Sequence, residues 1–125
     1  MKTLLITKSV VEVLAGLALL LVPSTVVSLA LGEPLERSGM IALARFAGVI
    51  LLTVGFACWV ERNHSESRRS IGLIAALLVY DVSVVVLLLV ARLAEHLSGI
   101  ALWPAVSLHS GLGVWSLFCL RRKPR

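Results

Sequence analysis

The sequence predicts an all-α protein, a four-helix transmembrane bundle with a short interfacial segment after the first helix. Hydrophobic residues make up 58% of the 125 residues and charged residues only 15%, whereas about a quarter of an average soluble domain is charged. The apolar residues lie in four long runs, each close to the roughly 20 residues that a membrane-spanning helix needs. The length is that of a single domain, residues 1–125.

The first apolar run, residues 4–22, predicts a span of about 28 Å. It ends before Pro23, which lacks the amide proton that a helix interior needs. Lys8 and Glu12 interrupt this run, so we expect a retained membrane helix rather than a signal peptide. An unbroken helix as far as residue 31 would measure about 42 Å, longer than a span requires. Residues 24–31 therefore predict a short interfacial helix, which a Gly-Glu-Pro turn ends.

Three further runs predict the remaining spans, at residues 38–60, 71–91 and 100–120. The second span carries Ala44 and Gly48, and the fourth carries Ser107 and Gly111. Small residues four positions apart let helix backbones approach closely in a membrane. We therefore expect both pairs to pack against other helices or subunits.

The distribution of lysine and arginine predicts the orientation in the membrane. With four spans, both termini and the 61–70 loop share one side, which carries nine of these residues: Lys2, Lys8, Arg62, Arg68, Arg69, Arg121, Arg122, Lys123 and Arg125. The other side carries Arg37 and Arg92. Because lysine and arginine are enriched in cytoplasmic segments, both termini are expected in the cytoplasm. Orientation explains the net charge of +5, and no nucleic-acid partner is expected.

Each predicted span holds one ionisable residue away from its ends: Glu12, Arg45, Asp81 and His109. From the rise per residue, the last three fall within about one helical turn of each other near the midplane. A charge at that depth costs several kcal/mol unless it is paired. We therefore expect Arg45 to neutralise Asp81, with His109 adding a group that can titrate near neutral pH. Glu12 either faces this cluster or pairs with Lys8, four residues earlier, which would then extend to the cytoplasmic interface.

The polar cluster has two interpretations. As a site, it would bind a polar head group, relay a proton or orient a quinone-like carbonyl, since ionisable residues inside membranes are commonly functional. As a structural feature, the ion pair would lock the second span to the third, with His109 hydrogen-bonded to it. Tyr80 is expected to be a packing residue.

The sequence predicts neither a metal site nor a cofactor, although a quinone or a lipid is left open. Cys58 and Cys119 are expected to fill apolar space rather than to form a redox pair. The three histidines are too scattered for an intrachain haem site: His64 lies in a loop, His96 at the outer surface and His109 in the membrane. Haem is therefore not expected.

Several stretches carry a resemblance to a known group of proteins: LLLVPS, GEPL, ALARFAGVILLTVGFACW and LWPAVSLH. Together they resemble the small bacterial four-helix membrane proteins of the DoxX-like kind and neighbouring uncharacterised families. The distinctive positions are Arg45 in ARFAG, Asp81 in VYDV and His109 in AVSLH. The resemblance implies a bundle in the bacterial inner membrane, and a link either to quinone-related redox complexes or to accessory roles in membrane assemblies.

Three hypotheses for function follow. The first is a non-enzymatic membrane protein, either an accessory subunit or a binder of lipid or another small hydrophobic molecule, working as a homo-oligomer or within a larger membrane complex. The second is a quinone- or lipid-linked membrane enzyme or redox subunit that uses Arg45, Asp81 and His109. The third is an oligomeric small transporter, for which four spans leave little room and no inverted repeat is evident.

Overall fold

The computed structural model describes residues 1–64 and 68–122, and within these ranges the chain is all-α, without any strand. Five α-helices follow one another: α1 (Lys2–Leu21), α2 (Pro23–Leu31), α3 (Ser38–Glu61), α4 (Arg68–Leu93) and α5 (Leu102–Arg121). A 3-10 turn, Arg62–His64, extends α3. The middle of the predicted cytoplasmic loop (65–67) and the end of the predicted basic tail (123–125) lie outside the described residues.

Three helical segments of the described chain are long and apolar enough to cross a membrane. They are Lys2–Leu21, Ser38–His64 and Arg68–Leu93, with mean hydropathies of 2.1, 2.1 and 2.8. The helix predicted as the fourth span, α5, has 20 residues, the same length as α1. Its tryptophans, serines, glycines and His109 make it less apolar, so it is not among these segments.

The first helix breaks at the position where the sequence predicts a break. Val22 leaves helical geometry, with φ −133° and ψ 57°, and Pro23 begins α2. The fixed φ of proline suits the first turn of a helix, and its missing amide proton would have no partner there in any case. The Val22 amide still donates to Ala18 O at 2.8 Å, so the chain turns between α1 and α2 without losing that hydrogen bond.

The C-terminus of α2 is held by the connection between α4 and α5. Gly32 caps α2 with φ 88°, a left-handed conformation that favours glycine. The Ser98 amide donates to Leu31 O at 3.0 Å and the Ala101 amide to Leu29 O at 2.8 Å. Gly99 lies so close to α2 that a Cβ atom there would be 2.2 Å from Leu29 O. The α2 helix is therefore attached to the same end of the bundle as the α4–α5 connection.

The helices pack chiefly in two pairs, α1 with α3 and α4 with α5. Gly16 and Gly48 face each other across the first pair: a Cβ on Gly16 would lie 2.7 Å from Gly48 O, and one on Gly48 would lie 2.8 Å from Gly16 O. A Cβ on Gly55 would lie 2.8 Å from Val13 Cγ2 and 3.1 Å from Ser9 O, both on α1. Gly48 thus packs closely against another helix, as predicted. Ala44, four residues earlier on α3, is only half-buried.

The second predicted pair of small residues, Ser107 and Gly111, does not pack within the chain. Both are exposed, and an added Cβ on Gly111 would meet nothing within 4 Å. The glycine that faces α4 is Gly113, whose Cβ would lie 3.4 Å from the Cβ of Asp81. A four-residue spacing does not show which side of a helix faces its neighbour, and packing of Ser107 and Gly111 against another subunit remains a prediction.

A small apolar core lies at the end of the bundle where α1 begins and α3 ends. It consists of Leu4, Leu5, Cys58, Ile74, Leu77 and Leu112, with Cys119 packed against it. Both cysteines are free and occupy apolar surroundings, as a packing role requires. At this end, the Ser70 hydroxyl donates to Glu61 Oε2 at 3.0 Å and links the start of α4 to the end of α3.

Large apolar side chains cover much of the outer surface. Leu43, Phe46, Phe56, Val79 and Leu87 are each at least 65% exposed. Soluble monomers rarely expose contiguous apolar surface on this scale, whereas surfaces that face lipid or a protein partner do. The surface therefore agrees with the helices in indicating a membrane protein.

Candidate functional site

Asp81, in the middle of α4, forms a buried ion pair with Lys8 of α1. The Lys8 ammonium donates to Asp81 Oδ2. The two side chains are 0% and 1% exposed. Burial strengthens their mutual attraction and removes both from water, so each depends on the other for its stability.

The other oxygen of the same carboxylate joins α5 to the cluster. His109 Nδ1 lies 3.0 Å from Asp81 Oδ1. A carboxylate paired with an ammonium group accepts hydrogen bonds, so Nδ1 carries the proton and donates it. Asp81 therefore connects three helices: its own α4, α1 through Lys8 and α5 through His109.

Glu12 and Tyr80 form the second part of the cluster. The Tyr80 hydroxyl donates to Glu12 Oε2 at 3.3 Å, and Glu12 is only 1% exposed. Glu12 Oε1 is buried without a hydrogen-bond partner among the described residues. Since a buried polar atom without a partner is costly, Glu12 is a strained component of the cluster.

The Tyr80 ring connects the second part of the cluster to the first. It meets the His109 ring edge-to-face, with centroids 5.7 Å apart and an interplanar angle of 81°. Its centroid is also 5.7 Å from Lys8 Nζ. Tyr80 therefore packs in the cluster, as predicted, but also donates the hydrogen bond to Glu12, which the sequence reasoning did not include.

A groove between α4 and α5 reaches the cluster from outside. Its volume is about 320 Å³, and valines and leucines form most of its wall. The lining residues are Leu78, Asp81, Val82, Val85, Val86, His109, Ser110, Gly113, Val114 and Leu117. Val82 and Val86 are about half exposed, so the groove opens on the apolar outer surface. Its polar groups come from Asp81, His109 and Ser110.

The structure brings together three of the four predicted cluster residues, Glu12, Asp81 and His109, and leaves Arg45 outside. Arg45 is exposed on α3, and among the described residues it forms no ion pair. The expected Arg45–Asp81 pair is therefore corrected to Lys8–Asp81. The error has a geometric cause: Arg45 lies at a suitable position along its helix, but α3 packs chiefly on α1 and has few contacts with α4.

Lys8 is the residue that the sequence reasoning misplaced. The sequence allows Lys8 to pair with Glu12 and to extend its ammonium group to the membrane interface, yet the side chain is fully buried and contacts Asp81. A signal was present in the sequence: Leu4, Lys8, Glu12 and Gly16 are four residues apart, and all four are buried on α1. This spacing puts Lys8 and Glu12 on one face of the helix, between residues that face the interior.

Comparison with protein-family models, with curated protein sequences and with solved structures finds no match to this chain. The resemblance to DoxX-like proteins thus stays a prediction. Within the described ranges, no group of three or more His, Cys, Asp or Glu side chains is arranged to hold a metal ion. The candidate functional site is therefore the charged cluster with the groove beside it.

Proposed function

We propose that this protein is a non-enzymatic integral membrane protein that binds a small hydrophobic molecule in the groove between α4 and α5. The groove carries the proposal: its wall is apolar, it opens on the apolar surface, and its polar groups lie together where Asp81 and His109 meet. Ligand pockets typically combine an apolar wall with a few convergent polar groups. The tail of the molecule would lie along the valines and leucines, and its head group would contact His109.

In this proposal α5 is the fourth span of a transmembrane bundle and α2 lies at the outer interface. Support comes from the length of α5, which equals that of α1, and from its packing on α4. Lysine and arginine are in excess at the start of α1, the end of α3, the start of α4 and the end of α5. This excess supports two cytoplasmic termini in a bacterial inner membrane. The groove would then open sideways into the bilayer, the phase in which a hydrophobic ligand dissolves.

The charged residues have a structural role in this function. The Lys8–Asp81 pair holds α1 against α4, and Asp81 in turn orients the His109 ring beside the groove. A second hypothesis, a quinone-linked redox subunit, would use the same groove with Asp81 and His109 but without Arg45. It is supported by the unbroken chain of contacts from Lys8 through Asp81 to His109, which links the interior to the groove.

A matched pair of tryptophan variants tests the binding function. Val82 lines the groove and is 54% exposed, whereas Val79 is 67% exposed on the same helix and does not line it. Native mass spectrometry of the detergent-extracted proteins, with an absorption spectrum of each sample, should show a retained small hydrophobic molecule in the wild type and in Val79→Trp. Val82→Trp should lose that molecule, because the indole occupies the groove.

Two results would contradict this proposal. Equal retention by Val82→Trp and Val79→Trp would show that the retained molecule binds elsewhere. Wild-type protein without any retained molecule, isolated instead in a stable complex with copies of itself or with another membrane protein, would favour an accessory subunit whose cluster only fixes the bundle.

A further inference from the structure

The hydrogen bonding of the His109 ring indicates which class of head group the groove accepts. This inference rests on the proposed function. We infer that the groove selects molecules whose head group donates a hydrogen bond, namely long-chain alcohols or phenols, and that His109 Nε2 accepts this bond. The geometry that carries the inference is the contact of Nδ1 with Asp81 on one side of the ring and the groove beside it.

The Asp81 contact determines which ring nitrogen holds the proton. Asp81 Oδ2 is paired with the Lys8 ammonium group, so its carboxylate is ionised and can only accept. His109 Nδ1 must therefore donate to Oδ1. In a neutral imidazole this leaves Nε2 with a lone pair as an acceptor. Nε2 makes no hydrogen bond with the described residues, and the His109 side chain is 13% exposed beside the groove.

A neutral His109 ring is part of this inference. Lys8 on α1 already balances Asp81, so a second positive charge on His109 would face a carboxylate that has its counter-ion. Glu12 of α1 is a second carboxylate whose charge also acts on the imidazole, but its hydrogen bond is with Tyr80. Tyr80 on α4 presents its ring to His109 edge-to-face, and α3 contributes no charged side chain to the cluster among its described residues. An isolated charge in apolar surroundings is costly unless it is paired.

A hydrogen-bond acceptor among the residues that line an apolar groove discriminates between head groups. A hydroxyl group can donate to Nε2, and Ser110, which also lines the groove, can hydrogen-bond the oxygen of the same hydroxyl. An ether or a carbonyl group has no proton to donate and would leave Nε2 buried without a partner. A site built around a hydrogen bond disfavours analogues that cannot form that bond. A carboxylate head group would in addition bring a negative charge toward Asp81.

The experiment compares 4-decylphenol with 4-decylanisole, its methyl ether, which has the same tail and no hydroxyl proton. Both are titrated by calorimetry into wild-type protein in nanodiscs, with empty nanodiscs as the blank for partition into lipid. The phenol should bind about five- to tenfold more tightly than the anisole, the value of about one net hydrogen bond. His109→Phe should remove this preference, and His64→Phe, a change at an exposed histidine, should keep it.

Nitrogen NMR of ¹⁵N-histidine-labelled wild-type protein supplies a readout that needs no variant. His109 should show a protonated Nδ1 and an unprotonated Nε2, and the Nε2 signal should shift with the phenol but not with the anisole. A ring protonated on both nitrogens, or equal affinity for the two probes with Val82→Trp weakening both, would overturn the inference and leave the groove as a binding site. If neither probe bound, or if Val82→Trp bound both probes with the wild-type affinity, the proposed function would fail together with the inference.

Discussion

Lys8 and Asp81, 73 residues apart in the chain, form a buried ion pair that connects α1 to α4. Backbone contacts between these two helices are sparse, since α1 packs on α3 and α4 packs on α5. The pair thus joins two halves of the fold, α1 with α3 and α4 with α5, through side chains. Tyr80 and Glu12 make a second contact between the same helices. The charged cluster therefore links the two halves together with the apolar core and the Ser70–Glu61 hydrogen bond.

The first prediction concerns the separate loss of each charge. Lys8→Met leaves Asp81 as a buried anion without its cation, and Asp81→Asn leaves Lys8 as a buried cation without its anion. Removing one partner of a buried pair typically costs about 3–5 kcal/mol of the free energy of unfolding. The double variant Lys8→Met/Asp81→Asn should be closer to wild type than either single variant, because neither charge of the pair is left without its partner and the asparagine oxygen can still accept from His109.

Reversible unfolding in mixed micelles measures these free energies, and Arg45→Met is the matched control. Arg45 is an exposed cation of α3 that lies outside the cluster, so its loss should change stability little. If Arg45→Met were as damaging as Lys8→Met, or if the double variant were no more stable than the single ones, the Lys8–Asp81 pair would not be the contact that holds the halves together.

Length, hydropathy and proline position were sufficient to predict the helices. The break at Pro23 and the separate helix after it follow from local chemistry, because proline removes one amide proton and fixes φ. The all-α class follows from the long apolar runs, because each is about as long as a helix that crosses a bilayer. These properties depend on residues near one another in the chain, and the sequence displays them directly.

The composition of the cluster was predicted only in part, because it depends on which helices are neighbours. Asp81 and His109 could be placed together from their positions along the predicted spans, and the two side chains are in contact. The position of a residue along its helix gives no information on the direction in which its side chain points. On position alone, Arg45 and Lys8 were therefore both suitable partners for Asp81. The close approach of Gly16 to Gly48 puts α3 against α1, and this arrangement leaves α1, not α3, to supply the cation.

The second prediction tests the contact between α1 and α3. A Cβ on Gly16 would lie 2.7 Å from Gly48 O and 2.9 Å from Leu52 Cγ, so Gly16→Ala must push the helices apart. Overpacking of this kind costs about 1–3 kcal/mol. Gly72→Ala is the control, because an added Cβ there meets nothing within 4 Å and alanine favours a helix by up to about 1 kcal/mol. Equal unfolding free energies for the two variants would contradict a close contact at Gly16.

The third prediction tests the attachment of α2. Gly99→Ala would bring a Cβ within 2.2 Å of Leu29 O, which should release the hydrogen bonds from the Ser98 and Ala101 amides to α2. Hydrogen exchange at these two amides should accelerate roughly ten- to hundredfold, as expected for a local cost of about 1–3 kcal/mol. Gly39→Ala, where an added Cβ meets nothing within 4 Å, should leave both amides at the wild-type rate. Unchanged exchange in Gly99→Ala would mean that the connection is not held against α2.

The fourth prediction concerns a second subunit on the exposed side of α5. Ser107 and Gly111 have the spacing that allows close helix contact, yet both are exposed within the chain. If they pack against another copy, Gly111→Leu should shift the protein toward monomer in sedimentation equilibrium without lowering the free energy of unfolding of the monomer. Gly72→Leu makes the same change at an exposed glycine of α4 and should leave the oligomeric state unchanged. An oligomer that persists in Gly111→Leu, or a wild-type protein that is monomeric at all concentrations, would exclude this face as the subunit contact.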